Sequence, residues 1–272
     1  MMKEKIKEIC KRIENENNVR ILFAVENGSR AWRMDSQDSD FDVRFVFVRL
    51  LSEYIQINKP EEVITACFDR EGKSCFPQGA LIDISGFDIF KFVKMLSLSN
   101  PTTIEWLTSD IIYYGKQNEI FKQFATKHFN RTSLYRHYKS MCRNNYLKYL
   151  KSGEMVTYKK YLYAYRGLIN AKWVVHKKTV PPIIFAEALQ KIKKHIPEDI
   201  QTKIQEMISL KSQGKEKDKI KNIAEMDNYI EQFLKDDSEA PTGKSSVTLS
   251  CLNEELRKIV LVEEIRHPQS NG

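Results

Sequence analysis

The sequence predicts an α+β protein, with an N-terminal half of α/β type followed by a helical C-terminal half. Three observations support this fold class. Short apolar runs rich in β-forming residues alternate with helical patterns in the first half. Strand signals fade from about Arg131, where long helical patterns rich in basic and aromatic residues begin. The sequence also shows no internal repeat of the kind that builds solenoids or propellers.

Four strands are expected in the N-terminal half, each a run of β-forming residues that ends at a turn signal. Their ranges are 19–26, 41–50, 61–76 (a strand or hairpin about an Asp-Arg-Glu-Gly turn) and 79–89. An amphipathic helix precedes them at 3–17, and a later helix ends at Asn100 because Pro101 cannot continue it. A short helix then holds Glu105 and Trp106.

The C-terminal half is expected to contain four helical segments, a linker and a final amphipathic segment. The helical segments are 132–151, 157–178, 184–195 and 198–235. The linker covers 236–248, where Asp, Ser, Gly and Pro accumulate, and the amphipathic segment follows at 252–265. We therefore divide the chain into domains at 1–128 and 129–235, with a linker and tail at 236–272.

The composition is ordinary for a soluble globular protein, with 272 residues of which 42% are hydrophobic and 29% charged. No apolar run approaches the roughly 20 residues that a membrane span needs, and the N-terminal segment is too charged for a signal peptide. We expect a cytoplasmic protein that does not bind membranes. The five cysteines show neither a CxxC pair nor zinc-like spacing, so we expect reduced thiols.

The positive charge is concentrated in one region of the chain. The formal net charge is +8, and the segment 139–178 holds ten Lys and Arg residues against a single acid, Glu154. Tyrosines are interleaved with these cations. Such a segment suits a phosphate-bearing partner, either a nucleotide or an RNA strand. A solvated helix face is the alternative that charge alone leaves open.

Two acidic residues flank Phe41 where the second predicted strand begins. Because side chains alternate along a strand, Asp40 and Asp42 are expected on one face, with Cα atoms roughly 7 Å apart. Asp83 lies between two isoleucines of another strand, where a carboxylate needs a counter-charge or a metal. If the two strands are neighbours, the three carboxylates converge. Carboxylates together with substrate phosphates are the ligands that Mg²⁺ prefers.

Gly28 and Ser29 directly follow the first predicted strand and are expected to start a helix. Glycine permits a close approach of the backbone, and a helix N-terminus with a serine hydroxyl can bind a phosphate. The P-loop pattern GxxxxGK[ST] does not occur at this position.

Each of these signals is weak alone, because DxD also occurs in acidic turns and calcium loops. Their combination in one order and spacing is more specific. Asp35 and Asp38, which precede the DxD, are interpreted as solvated loop residues. The DxD of a haloacid-dehalogenase-type phosphatase or a glycosyltransferase is disfavoured, because those usually follow an apolar strand. Here a polar loop precedes the DxD and the apolar run follows it.

Together these residues resemble the DNA polymerase beta nucleotidyltransferase superfamily, whose GS…DxD…D pattern they match. The segments GSRAW, DSDFDVRFV, DISGFD, SNPTTIEWL and KKYLYAYRGLINAKWV are similar to its bacterial and phage branch of predicted nucleotidyltransferases, some of which are linked to RNA repair. The resemblance covers about residues 20–190. It implies a polymerase-beta-like nucleotidyltransferase domain with a small mixed sheet at 1–128, and a helical domain that binds nucleotide or substrate at 129–235.

The resemblance also implies roles for the motif residues. Asp40 and Asp42 would hold two divalent metal ions, Mg²⁺ or Mn²⁺, and Asp83 the one that activates the acceptor hydroxyl. The Gly28 backbone and the Ser29 hydroxyl would hold the β- and γ-phosphates of a nucleoside triphosphate (NTP) such as ATP. The two metals would clamp the attacking and leaving oxygens of an in-line displacement at the α-phosphate, with release of pyrophosphate.

One stripe of the predicted helix 157–178 is polar, with Lys159, Tyr163, Arg166 and Asn170 at helical spacing. An exposed helix face would produce the same pattern. In related nucleotidyltransferases, however, a helical domain supplies a cation to the triphosphate and a ring near the base. By that resemblance Lys159, Lys160 and Arg166 are candidates for the triphosphate, and Tyr163 for the base or ribose.

Two arginines of the first half are weaker nucleotide candidates, Arg30 and Arg44. Arg44 shares the predicted face of Asp40 and Asp42, and pairing with an aspartate is its alternative role.

The chain departs from the resemblance at Arg33, where related proteins often have a glycine after the tryptophan of GSRAW. We expect this residue either to narrow the turn or to add a phosphate contact. Glu105 and Trp106 are typical of the branch, and we interpret them as structural support for the wall of the active site.

The leading hypothesis is a metal-dependent nucleotidyltransferase that moves a nucleoside monophosphate from an NTP to a hydroxyl. An RNA 3′ end, including that of tRNA, is the favoured acceptor. A protein hydroxyl, as in the small nucleotidyltransferases of toxin–antitoxin pairs, comes next, followed by a small molecule. A module that binds RNA or nucleotide without turnover is the hypothesis from another class, and the three crowded acids argue against it.

Overall fold

The structure is a computed structural model that describes residues 2–36, 39–153, 155–215, 218–242 and 249–266. The chain forms two compact units. The sheet unit comprises Met1–Ala31, Asp40–His128 and Val247–Gly272, and the helical unit comprises Trp32–Ser39 and Phe129–Ser246. In the described ranges, none of the helices is both long and apolar enough to cross a membrane.

The sheet unit is built on a five-stranded mixed sheet, which confirms the predicted fold class. The strands are β1 (Arg20–Asn27), β2 (Phe41–Val48), β3 (Val63–Phe68), β4 (Ile82–Asp88) and β5 (Ile112–Gly115), in the order β3-β4-β2-β1-β5. The central pair β2 and β4 is parallel, and the other neighbours are antiparallel. Side chains of β1, β2 and β4 fill the core as β-forming apolar residues are expected to do.

Seven α-helices occur in the described part of the sheet unit. They are α1 (Met2–Asn17), α2 (Gly28–Ala31), α3 (Leu51–Tyr54), α4 (Ile89–Ser97), α5 (Pro101–Thr108), α6 (Glu119–Lys127) and α12 (Ser250–Arg266). Side-chain caps set several of their starts. Asp88 accepts a hydrogen bond from the Phe90 N–H at α4, and Asn100 caps α5, whose first residue is proline.

The helical unit consists of long helices and one very small sheet. The helices are α7 (Arg131–Asn145), α8 (Tyr158–His176), α9 (Phe185–Ile192), α10 (Glu198–Ser212) and α11 (Ala224–Lys235), and the sheet pairs β6 (Met155–Thr157) with β7 (Lys219–Lys221). A π-helical turn, Tyr146–Leu150, extends α7, and a 3-10 turn, Lys193–His195, follows α9.

Helices α7 and α8 pack very closely because of Gly167. A Cβ at this glycine would lie only 2.6 Å from the backbone nitrogen of Cys142 on α7. Around this contact α8 is buried on nearly all sides, so it forms the centre of the core of the helical unit.

Of the two alternatives predicted for 61–76, the structure has the strand, β3, with one isolated bridge from Phe68 to Ser74. Other elements differ from the prediction. The helix predicted at 198–235 is divided into two helices, α10 and α11. Gly214, which has a left-handed backbone conformation, and strand β7 lie between them. Strand β5, helix α6 and the β6–β7 pair had no predicted counterpart, and the three strands have only three or four residues each.

The predicted linker and tail divide between the two units. Residues 236–242 lie in the helical unit, where the Pro241 carbonyl accepts a hydrogen bond from Thr132. The predicted amphipathic segment forms α12 in the sheet unit, and Glu255 on it accepts a hydrogen bond from Asn118. Asp38, Glu154 and residues 243–248 lie outside the described residues.

Candidate active site

Asp42 and Asp83 lie side by side on the two central strands of the sheet unit. They are direct partners in the parallel register of β2 and β4, so both side chains lie on the same face of the sheet. Both side chains are partly open to solvent, 32% for Asp42 and 45% for Asp83. The expected convergence of carboxylates from these two strands is therefore present for this pair.

Arg44 forms ion pairs with both carboxylates. It lies two residues beyond Asp42 on β2, and its Nη2 is 2.9 Å from Oδ2 of Asp83 and 3.4 Å from Oδ1 of Asp42. Its Nη1 also donates to the backbone carbonyls of Val43 and Asp83. The guanidinium thus offsets the repulsion of two adjacent negative charges, the pairing that was the alternative role of this arginine.

Asp40 lies just before β2, outside the strand to which alternation assigned it. Its side chain is exposed, and its backbone carbonyl accepts a 3.2 Å hydrogen bond from Nε of Arg30. The Arg30 guanidinium lies 4.0 Å from the centre of the Phe41 ring. Among the residues that the structure describes, no group of three or more His, Cys, Asp or Glu side chains is arranged to hold a metal ion. The two carboxylates that lie side by side, those of Asp42 and Asp83, already have Arg44 as their counter-charge.

Gly28 brings the backbone of α2 against Asp42. A Cβ on Gly28 would lie 1.9 Å from Oδ2 of Asp42, and the residue has a φ of +65° that favours glycine. Ser29 follows and is 7% exposed. The two aspartates offer oxygen ligands side by side, and Gly28 lets the backbone pack directly against one of them. The donor chemistry therefore fits a hard divalent cation.

Glu26 is a buried acid behind the site that sequence reasoning missed. It is 1% exposed, accepts a 2.9 Å hydrogen bond from the backbone N–H of Asp42 and is hydrogen-bonded by the Tyr113 hydroxyl. Burial raises its pKa to about 7, against these two hydrogen bonds, which lower it. Its sequence signal was the same as that of Asp83, a single acid in an apolar strand.

The predicted cations of the helical unit lie along α8, and each of them contacts an aromatic ring. The Arg166 guanidinium lies 3.6 Å from the centre of the Trp32 ring, and the Tyr163 ring meets Trp32 edge-on at 5.6 Å. Lys159 lies above Tyr163 at 5.8 Å, and Lys160 above Tyr149 at 5.2 Å.

The polar stripe of α8 is not an exposed face along its whole length. Arg166 and Asn170 are each 4% exposed, so the exposed-face interpretation is wrong for its second half. Lys159 and Tyr163 are half-buried.

Arg33 and Trp106 have clear structural settings. Arg33 has a φ of +54°, a left-handed conformation in which a side chain costs about 1 kcal/mol relative to glycine. This is the position where the family resemblance predicts a glycine. Trp106 is 1% exposed and packs between Phe87 and Phe92, which agrees with a supporting role.

Comparison with known proteins places the chain in a family. Residues 2–258 match the family described as RlaP, the RNA repair pathway DNA polymerase beta family. The chain belongs to this family, which confirms the resemblance to the DNA polymerase beta superfamily. Membership supports nucleotidyl transfer as the general chemistry and a transferase as the class of enzyme.

Two individual proteins are also similar. The chain is 33% identical over 268 residues to an uncharacterized protein, YcgL, of Bacillus subtilis (strain 168), across 97% of this chain and 98% of that protein. A crystal structure of a nucleotidyltransferase-like protein from Exiguobacterium sibiricum 255-15 is similar at 12% identity with a TM-score of 0.32. That match covers 98% of this chain and 91% of the other.

Proposed function

We propose that the protein transfers a nucleoside monophosphate from an NTP, such as ATP, to a hydroxyl group, and releases pyrophosphate. The favoured acceptor is the 3′ end of an RNA, including tRNA. The observation that carries this proposal is the direct pairing of Asp42 and Asp83 on β2 and β4, with the Gly28 backbone against Asp42. Family membership supports the same chemistry.

A divalent cation, Mg²⁺ or Mn²⁺, would be held by Asp42 and Asp83 together with Asp40, and would stabilise negative charge on the reacting oxygens. The chain's own groups would bind and orient the nucleotide. The Gly28 backbone and the Ser29 hydroxyl would hold the terminal phosphates. Arg44, which bridges the two carboxylates, is suited to hold them side by side and correctly placed.

Further nucleotide contacts are proposed for the residues that the family resemblance singles out. Arg30, Lys159, Lys160 and Arg166 would contact phosphates, with Tyr163 at the base or ribose. The stacking of Arg166 on Trp32 supports a fixed position for that guanidinium. An RNA acceptor is supported by the basic segment 139–178 and by the family's description. We propose a cytoplasmic location, where NTPs and RNA are both available.

The proposal is tested by label transfer. Purified protein is incubated with each of the four α-labelled NTPs, Mg²⁺ or Mn²⁺ and a tRNA pool, and label is followed separately into RNA and protein. Asp42→Asn and Asp83→Asn keep the shape of each side chain but remove its charge. Glu71→Gln, an exposed acid of the same unit, is the control.

We expect label in RNA with wild type and Glu71→Gln, and none with either aspartate variant. Label on the protein itself would replace RNA with a protein hydroxyl as the acceptor. The transferase proposal would be abandoned if wild type moved no label to either acceptor while binding NTP, because a binding module would explain that result.

A further inference from the structure

The helical unit contains a groove of about 750 Å³ between one face of α7 and the segment that begins in α11. The residues that line the α7 side of the groove recur at helical spacing, from Thr132 through Arg136 to Arg143. This side continues past the π-helical turn to Lys151. The opposite side is formed by Glu231, Leu234 and Lys235 of α11 and by residues 237 and 240–242. None of the residues assigned to nucleotide binding lines it.

The charge of this groove is positive once its ion pairs are counted. Its two acids are already engaged, since Asp237 lies 2.7 Å from Lys139 and Glu231 lies 3.2 Å from Lys235. Three exposed cations line the groove beyond these pairs: Arg136, Arg143 and Lys151. In the described part of the chain, no carboxylate lies within 4 Å of any of them.

The three cations are spaced along a line and not gathered at one point. Arg136 and Arg143 are two helical turns apart, about 10 Å along the axis. Lys151 follows after roughly another 12 Å, if the same rise is applied to the turns between. A single phosphate would need cations that converge, whereas a row of this length suits a chain of phosphates.

The groove also has apolar surface beside the cations. Leu147 is 43% exposed on the α7 side, and Leu234 and Pro241 face the groove from the other side. Such surface accommodates the faces of bases without reading their edges, and Tyr135 and Tyr146 are too buried to act as stacking platforms. Binding here is therefore expected to depend on salt and to show little sequence preference.

We propose that this groove binds the sugar–phosphate backbone of a single-stranded RNA, with Arg136, Arg143 and Lys151 contacting successive phosphates. The assignment of the strand as the acceptor substrate rests on the proposed function. The charge complementarity between the groove and a sugar–phosphate backbone does not depend on the proposed function.

The test measures RNA binding without nucleotide or metal, so that its result is independent of transfer. A labelled, unstructured RNA of about 16 nucleotides is titrated with the full-length protein by fluorescence anisotropy at several salt concentrations. The test variant is Arg136→Gln/Arg143→Gln/Lys151→Gln. The control is Lys193→Gln/Lys194→Gln, two exposed lysines of the helical unit that do not line the groove. Thermal melting checks that each variant is folded.

We expect the triple variant to bind RNA at least tenfold more weakly than wild type. The slope of log affinity against log salt should also fall by about 2, because each lost contact to a single strand removes about 0.7. NTP binding should be unchanged, and the control should match wild type. The charge-preserving variant Arg136→Lys/Arg143→Lys/Lys151→Arg should retain binding.

Three results would overturn the groove assignment: equal RNA affinity of wild type and triple variant, an equal loss in the control, or binding of polyglutamate but not RNA by wild type. The proposed function fails separately, if transfer survives in Asp42→Asn while RNA binding still depends on the groove cations.

Discussion

Gly28 and Asp42 lie so close together that a Cβ on the glycine would be 1.9 Å from Oδ2 of the aspartate. This contact joins the two halves of the motif, the Gly-Ser turn and the DxD. It explains why the position after β1 must lack a side chain, independently of the φ of +65° that glycine adopts there. The backbone of α2 can then lie directly against a carboxylate of the candidate site.

Substitution of Gly28 distinguishes the effect of the close contact with Asp42 from that of the left-handed backbone conformation. Gly28→Ala should displace the Asp42 carboxylate and reduce label transfer about 100-fold or more, because reacting groups tolerate little misplacement. Gly214→Ala is the matched control, since Gly214 has a φ of +80° but a Cβ added there would meet no atom within 4 Å. Both variants should lose about 1 kcal/mol of unfolding free energy from the backbone conformation, and only Gly28→Ala should lose transfer.

Equal transfer in the two alanine variants would show that the contact with Asp42 is unimportant for activity. Stability is measured by denaturant unfolding and transfer by the labelled-NTP assay, so that a folding defect is not mistaken for a loss of chemistry.

Arg44 supplies the counter-charge for Asp42 and Asp83, and its removal should increase the effect of a divalent cation on stability. In Arg44→Gln the two carboxylates face each other without the guanidinium, so Mg²⁺ that binds the folded protein should raise the melting temperature more than in wild type. The measurement is the melting temperature with and without Mg²⁺. Arg49→Gln, which breaks the 3.2 Å ion pair with Glu53, is the control.

The control should melt at a lower temperature than wild type but respond to Mg²⁺ as wild type does. An unchanged Mg²⁺ response in Arg44→Gln would argue against a cation at this carboxylate pair.

Much of the sheet unit was predictable, because its signals are local. The period of two in β2 places Asp42 and Arg44 on one face, and the structure confirms this with an ion pair between them. The neighbouring strand that brings Asp83 to the same face was an assumption that only the parallel register of β2 and β4 established.

The parts that sequence reasoning missed depend on contacts between distant segments. Arg166 belongs to a polar stripe by its spacing, but its guanidinium is covered by Trp32, more than a hundred residues earlier in the chain. Strands β6 and β7 have three residues each and no periodicity to detect. Glu26 could have been found, because a single acid in the apolar strand β1 needs a partner for the same reason as Asp83 does.

Glu26 should support the site by fixing the backbone of Asp42. Glu26→Ala leaves the Asp42 N–H and the Tyr113 hydroxyl without their acceptor, at a cost of about 3 kcal/mol in unfolding free energy. Glu26→Gln retains an acceptor oxygen of the same shape, so its stability and transfer should stay close to those of wild type.

The chain contains a matched control for Glu26. Glu14 likewise accepts a backbone N–H, from Ile21, and a tyrosine hydroxyl, from Tyr114, each at 2.7 Å. Glu14→Ala should lower the unfolding free energy without reducing transfer per folded molecule, whereas Glu26→Ala should reduce both. If the two variants affected transfer equally, Glu26 would have a purely structural role.

The stacked histidine pair of the helical unit should make stability depend on pH. The rings of His176 and His195 are parallel with centroids 3.5 Å apart. Burial lowers the pKa of each, and nearby charge adds to this, from His195 at His176 and from Lys194 at His195. Glu239, 3.7 Å from His176, opposes the shift, while Lys172 favours it.

The direction of the pH effect follows from these lowered pKa values. As the pH falls below about 6.5, the unfolded chain takes up protons at these histidines before the folded protein does. The stabilisation is therefore complete above that pH and is lost as the pH falls through the folded pKa values. The melting temperature of wild type should fall by a few degrees between about pH 7 and pH 5.5, and His176→Gln/His195→Gln should flatten this part of the profile. His128→Gln, which lies in the sheet unit, should leave the dependence intact, and a double variant as steep as wild type would exclude the pair as its source.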